Sequence, residues 1–273
     1  MRIGFIGAGN MGGAIIKGYA ASGAMSAAGS DALFVFDSDM EKAAALAGSG
    51  IPAGQADSLE QLAGLCDALV LCVKPNVMDE VLDSLAELGA GADHLIISIA
   101  AGVSIGHIRE KLGAKTRVVR VMPNTPAMVG EGMSAMSASD GLPEADSAAA
   151  EKLFSAVGAA VWVAEDFMDI VTGISGSSPA YAYLYIEGLI RAGVEGGLPK
   201  EAATILAAQS TLGAAKMVLE NLGDVEPRQL CTNVCSPGGT TIEAVKVLEE
   251  EGFTETVSKA AKASAAKSKL MTR

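Results

Sequence analysis

The stretch Arg2-Ile3-Gly4-Phe5-Ile6-Gly7-Ala8-Gly9-Asn10-Met11-Gly12 decides the fold. A short apolar run, a glycine turn, and then Ala14, Ile15 and Ile16 at helical spacing read as strand, turn and helix. That is the context in which a G-x-G-x-x-G pattern carries weight. Gly7 permits the tight turn, and Gly9 lets the backbone approach a pyrophosphate. Gly12 lets the helix lie close to the strand. The helix N-terminus, with Ala8, Asn10 and Met11 around it, offers its positive end to the phosphates. The pattern predicts a dinucleotide-binding βα turn; the alternative is a turn with a purely structural role.

Working outward, the next apolar run, Leu33-Phe34-Val35-Phe36, ends in Asp37, 25 residues after Gly12. An acid at the end of the second strand is placed to hold a ribose 2′-hydroxyl. It also repels a 2′-phosphate, which tilts the reading from NADP(H) toward NAD(H), with Lys42 near enough to offset the charge. Three more strands follow as continuous apolar runs, the pattern of parallel strands buried on both faces. Asp67 to Val73 stops at Lys74-Pro75, Leu95 to Ile99 at Ala100-Ala101-Gly102, and Arg117 to Met122 at Pro123-Asn124-Thr125-Pro126. Ligands of such sheets lie outside the C-terminal strand ends. Val73, Lys74, Pro75 and Ala100 are therefore cofactor-side candidates, and Asn124 faces the same way; the alternative for Lys74 and Asn124 is a turn residue with no ligand. Met133 to Met136 and Ala159 to Val163 read as closing edge strands.

After Val163 no convincing strand appears, only helical periodicity. Helices are expected over 169–197 (entered at Ser175-Gly176-Ser177-Ser178-Pro179), 201–222, 227–234, 241–250 and 254–270. The division is 1–163 for a Rossmann-like, mostly parallel α/β domain and 164–273 for an all-helical domain. Leu184, Ile186, Leu189 and Ile190, with Ile205, Leu206, Leu212, Met217, Val218 and Leu219, exceed what one small bundle buries, so a helical homodimer interface is expected, the alternative being that one monomer pools this surface. Lys259, Lys262, Lys267 and Lys269 read as a solvated face near the last helix C-terminus.

Composition narrows the partners. Of 273 residues, half are hydrophobic, and the net charge is −12. Such an acidic chain is a poor match for nucleic acid or for an anionic membrane surface. No run reaches the roughly 18–20 uninterrupted apolar residues of a membrane span. The first apolar run is broken by glycines and no convincing cleavage region precedes Asp31, so it reads as the first strand of a cytoplasmic protein. Cys66, Cys72, Cys231 and Cys235 show no CxxC pairing and only two histidines accompany them, so no metal site is expected.

One further stretch carries chemistry: Asn233-Val234-Cys235-Ser236-Pro237-Gly238-Gly239-Thr240-Thr241-Ile242. Proline ends the preceding helix, two glycines leave a bare backbone, and two threonines open the next apolar-periodic run. Bare N–H groups at a helix start make an anion cradle with hydroxyls beside it; the alternative is a helix corner with a threonine N-cap. Side-chain acid–base groups are otherwise scarce. His94 precedes a strand at the end away from the crevice, and His107 lies in a helix. The scarcity suits a substrate whose electrophile needs little proton help, such as a protonated C=N bond.

Taken together, Phe5 to Gly12, Val73-Lys74-Pro75, Val121 to Pro126, Thr172 to Tyr181 and, most specifically, Ser236 to Ile242 resemble pyrroline-5-carboxylate reductases. The resemblance runs in order from Arg2 to about Phe253. It implies reduction of 1-pyrroline-5-carboxylate to L-proline by NAD(P)H, the final step of proline synthesis. It also implies dimers through the helical domain and further assembly into decamers of five dimers. Carried over, Gly238, Gly239 and Thr240 offer N–H groups to the substrate carboxylate, and the Thr241 hydroxyl meets the ring nitrogen as the catalytic contact. Met122, Asn124 and Ser177 line the pocket. Ser178 stands where the family has glycine. Asp37 stands where family members, commonly NADPH-dependent, carry small or basic residues. A 6-phosphogluconate-type hydroxyacid dehydrogenase shares the domain order but needs a lysine where this chain has Ala182, and a sensor without turnover does not need the 238–241 cradle.

Overall fold

The computed structural model describes residues 1–23, 25 and 31–273. The residues just before Asp31, where no cleavage region is expected, lie outside them. Two compact units emerge: Met1–Ser177 together with Ala261–Arg273, and Ser178–Ala260.

In the first unit the chain runs β1 (Arg2–Ile6), α1 (Asn10–Ala21), β2 (Ala32–Phe36), α2 (Met40–Ala47), β3 (Ala53–Gln55), α3 (Leu59–Leu65) and β4 (Ala68–Leu71). It continues through α4 (Met78–Glu87), the single turn α5 (Ala90–Asp93), β5 (Leu95–Ser98), α6 (Ile105–Leu112) and β6 (Arg117–Met122). Then come β7 (Gly132–Ala138), α7 (Glu144–Ser155), β8 (Gly158–Trp162) and α8 (Met168–Val171). Among the described residues the strands form one sheet in the order β3-β2-β1-β4-β5-β6-β7-β8. It is parallel from β3 to β6; β7 joins β6 antiparallel and β8 joins β7 parallel.

The apolar runs follow from this architecture. Ala68, Leu69, Val70 and Leu71 of β4 are all fully buried because helices cover both faces of the sheet. On one face Ile15, Ile16 and Tyr19 of α1, Leu46 of α2, and Leu153 and Phe154 of α7 form a core with Phe5, Val35 and Val119. On the other, Leu62 of α3, Leu82 and Leu85 of α4, and Ile108 of α6 pack against Leu69, Leu71, Ile96 and Val118. The order reverses between β1 and β4, which places the ligand crevice at the C-terminal ends of those two strands.

Two expectations need correction. β3 is absent from the sequence reading: Ala53-Gly54-Gln55 has no apolar run, and its pairing with Leu33 to Val35 is what makes it a strand. β7 is not an edge, since β8 covers it and only β8 and β3 border the sheet.

The second unit is helical: α9 (Ser178–Glu195), α10 (Lys200–Glu220), α11 (Pro227–Asn233) and α12 (Thr240–Glu250), followed by the start of α13 (Phe253–Met271). Its apolar side chains are exposed to an unusual degree, Leu184 at 68%, Ile205 at 61%, Leu206 at 60% and Leu219 at 71%. By length and composition α10 is apolar enough to cross a membrane, although Lys200, Glu201, Lys216 and Glu220 keep it from being an uninterrupted apolar run.

Candidate active site

The glycine turn is built by steric necessity. Gly7 has φ +108°, and a Cβ there would lie 2.9 Å from the Cys72 carbonyl oxygen. A Cβ on Gly12 would come within 2.6 Å of the Gly7 carbonyl oxygen. Both positions close β1, α1 and the end of β4 on one another. Gly9 differs: a Cβ there would meet nothing, so its surface is open to a ligand. It is the N-cap of α1, makes no side-chain cap bond, and no acid occupies the first turn. The unspent N–H groups and open backbone fit a pyrophosphate.

Asp37 stands at the end of β2 and is already engaged. Its Oδ2 accepts from the Ala8 N–H at 2.7 Å, and its Oδ1 from the Asp39 N–H at 2.9 Å. The carboxylate thus pins the glycine turn to the β2 exit. Lys42 pairs with Asp39 at 2.9 Å, which keeps the ammonium beside this acidic corner. A cavity of about 320 Å³ runs from Gly7 and Asp37 to Val73 and Val77, and another of about 470 Å³ lies over Ala8, Gly9 and Asn10 with Lys17 and Lys42 on its wall. Lys74 is exposed and caps the 3₁₀ turn Pro75–Val77. Ala100 is buried, its N–H directed to Ser98 Oγ at 3.4 Å.

A second group gathers in the same unit around the end of β6. The Asn124 side chain is buried: its Nδ2 donates to the Ser175 carbonyl at 3.0 Å and its Oδ1 accepts from the Met133 N–H at 2.8 Å. It therefore ties β7 to Thr172–Gly176, a π-helical turn between α8 and α9. Such turns interrupt helices frequently at functional sites. Met122 reaches this turn too, its Cε lying 2.5 Å from where a Gly176 Cβ would stand. Ser177 closes the turn through its N–H to the Thr172 carbonyl at 2.8 Å, and its hydroxyl pairs with Ser264 at 2.8 Å. Met122, Asn124 and Ser177 are thus brought together.

The 236–241 segment is described within the helical unit. Ser236 to Gly239 form a turn closed by Gly239 N–H to the Ser236 carbonyl at 2.9 Å, with proline second and Gly238 third at φ +72°. That is type II turn chemistry. The N-cap of α12 is Gly239, without a side-chain cap bond, so Thr240 and Thr241 are the first helical residues rather than caps. The threonine-cap alternative is thereby overturned. Thr240 and Thr241 are exposed at the uncapped start of an 11-residue helix. Of the three N–H groups assigned to the cradle, that of Gly239 is spent inside the turn.

Sequence reasoning did not mark Asp79, Glu165 or Arg273, which the structure places at junctions of the first unit. Glu165 Oε1 binds the buried Arg120 guanidinium at 2.9 Å and the Ile105 N–H at 2.8 Å. No motif signals such a residue, because its partners are distant in sequence. The two histidines are structural: His94 sits between the Ala90 and Ala63 carbonyls at 3.1 and 2.9 Å, and His107 pairs with Asp79 at 2.7 Å. Burial pushes the Cys66 thiol up to about 12, which leaves it a packing residue rather than a nucleophile. Among the described residues no group of three or more His, Cys, Asp or Glu side chains is placed to hold a metal ion.

Known proteins show the same arrangement. The helical region, residues 165–271, matches the pyrroline-5-carboxylate reductase dimerisation family, and residues 2–102 match the family described as NADP oxidoreductase, coenzyme F420-dependent. Pyrroline-5-carboxylate reductase of Escherichia coli (strain K12) is 43% identical over 253 residues, covering 92% of this chain and 91% of that one. The chain belongs to the pyrroline-5-carboxylate reductase family. The Pisum sativum member is 40% identical over 268 residues, 98% of this chain and 94% of its own. Among solved structures, a Coxiella burnetii pyrroline-5-carboxylate reductase superposes with a TM-score of 0.90 at 35% identity, covering 99% and 98% of the two chains. A Plasmodium falciparum pyrroline carboxylate reductase with NADP bound gives 0.85 at 34% identity, covering 100% and 98%. This family membership makes the chain an NAD(P)H-dependent oxidoreductase.

Proposed function

We propose that this reductase converts 1-pyrroline-5-carboxylate to L-proline, the last step of proline synthesis. The observation that carries the reading is the start of α12: an uncapped helix N-terminus behind a Pro-Gly-Gly turn, with the Thr241 side chain at its first turn. A carboxylate is the anion that such N–H donors and the positive helix end favour. With the Gly239 N–H committed to Ser236, Gly238, Thr240 and Thr241 supply the donors. The Thr241 hydroxyl accepts from the protonated ring nitrogen, which orients the imine and favours its charged form. Met122, Asn124 and Ser177 shape the pocket wall. Functionally, 1–163 serves the dinucleotide and 164–273 serves substrate and pairing.

The glycine turn, Asp37 and 73–75 hold the dinucleotide, which supplies a hydride to the imine carbon. NADPH is the working cofactor in this reading. Asp37 serves as a brace, its two oxygens taken by backbone donors, with Lys42 beside it. The NADP carried by the Plasmodium relative supports the same choice. The exposed apolar faces of α9 and α10 support a homodimer; decamers of five dimers and a cytoplasmic location belong to the same reading. Parallel initial rates with NADPH and NADH at equal imine test the cofactor choice: a higher kcat/KM with NADPH supports it, and a higher value with NADH rejects it.

A further inference from the structure

The last residues of the chain return to the dinucleotide unit and bind two of its crevice loops at once. The Arg273 N–H donates to the Gly102 carbonyl at 3.1 Å, and the Ser104 N–H donates to the Arg273 carbonyl at 3.0 Å. The loop after β5, which begins at Ala100, is thereby paired with the chain end as a two-bond ladder. The Arg273 guanidinium reaches the other loop and the helix that follows it, with one nitrogen on Oδ2 of Asp79 in α4 at 2.7 Å and the other on the Pro75 carbonyl. Asp79 is held from its second oxygen by His107 of α6 at 2.7 Å. That bond, with Arg273 nearby, holds the Asp79 carboxyl below the usual carboxylate range. The segment is anchored behind this point as well: Thr272 and Ser268 hydroxyls both donate to Asp169 Oδ1, at 3.2 and 2.7 Å. Gly102 has φ +73°, and a Cβ there would lie 2.9 Å from the Met271 carbonyl, so the close approach depends on glycine.

We propose that Arg273 is a positioning residue for the nicotinamide cofactor, a brace that fixes the Lys74-Pro75 turn relative to the Ala100–Gly102 loop. It touches neither substrate nor cofactor. Its forked guanidinium spans the Pro75 carbonyl and the Asp79 carboxylate at the start of α4 while its own backbone bonds the other loop, a geometry a lysine ammonium reproduces only in part. The proposal rests on the dinucleotide reading of this crevice.

The test uses the full chain and the variants Arg273→Ala and Arg273→Lys. In Arg273→Ala, KM and Kd for NADPH rise about tenfold, the loss of one charge-assisted bonding site, with kcat within about twofold. Arg273→Lys recovers part of the affinity. In the ligand-free protein, amide exchange at Val77, Met78 and Ser104 quickens in Arg273→Ala, and this readout does not depend on what the crevice binds. Asp79→Asn, which weakens the same fork from the other side, raises the NADPH KM in the same direction and serves if Arg273→Ala fails to fold. Unchanged exchange at those amides, or an NADPH Kd equal to wild type in both Arg273→Ala and Asp79→Asn, overturns the brace. Quickened exchange in a protein whose wild type binds no dinucleotide overturns the cofactor role and the dinucleotide reading together, while leaving the loop contacts standing.

Discussion

Thr241 and Asp37 carry the account at the scale of single residues. Thr241 lies at the second position of α12, where a helix start leaves backbone N–H groups unpaired and a hydroxyl free to act on a ligand. Thr241→Ala removes that hydroxyl together with the γ-methyl, so kcat/KM for the imine falls about 10²-fold while the NADPH Kd stays at its wild-type value. Thr241→Ser restores most of the rate. Unaltered turnover by the alanine variant ends the proposed role. Asp37 braces the glycine turn, a role the sequence does not show. Its position after β2 is legible as a ribose contact, but its bonds to the Ala8 and Asp39 N–H groups depend on how the glycine turn folds back. Asp37→Asn puts an amide where a backbone N–H needs an acceptor, and the affinity for NADPH and NADH both drops roughly fivefold to tenfold. Asp37→Ser also removes the repulsive charge, so its NADPH/NADH efficiency ratio rises above wild type. Titration of both dinucleotides against each variant checks this; an unmoved ratio in the serine variant shows that the charge does not face the ribose.

Among the elements, the βα turn is the most exacting. A Cβ on Gly12 would stand 2.6 Å from the Gly7 carbonyl oxygen, a backbone atom that cannot swing aside, with the Cys72 side chain close by as well. Gly12→Ala is expected to abolish measurable NADPH binding while the helical content seen by circular dichroism persists; wild-type NADPH affinity in that variant contradicts the close-packing role. Elements with a strong period or a long apolar run were legible from sequence, as β1, β4, β5 and β6 show, because burial on both faces demands such runs. β3 was not, since three residues become a strand only through their partner β2. The π turn at Thr172–Gly176 was visible only as a Gly-Ser interruption, because its extra residue is set by Asn124, Met122 and Ser264 from elsewhere. The start of α12 was placed within one residue, but the cap proved to be Gly239, which the bare-backbone reading implied more directly than the threonine reading did.

For the whole molecule, the decisive feature is how much apolar surface the helical unit leaves in water. Leu184, Ile205, Leu206, Leu212, Met217 and Leu219 are each more than half exposed, far from the scattered apolar residues of an ordinary monomer surface. That surplus was legible in the sequence as too many apolar stripes for one bundle. The bonding of Arg273 to Gly102 and Pro75 was not, because nothing local marks the end of a lysine-rich helix as a docking strand. Mass in solution at micromolar concentration is expected at twice the chain mass or a multiple of it, and a stable, active monomer contradicts the pairing. The proposed activity is read from the initial rate of NADPH oxidation with 1-pyrroline-5-carboxylate. Saturable oxidation at about 1–10³ per second with stoichiometric L-proline is expected. Imine-independent oxidation, or none at all in protein that binds NADPH, would contradict it.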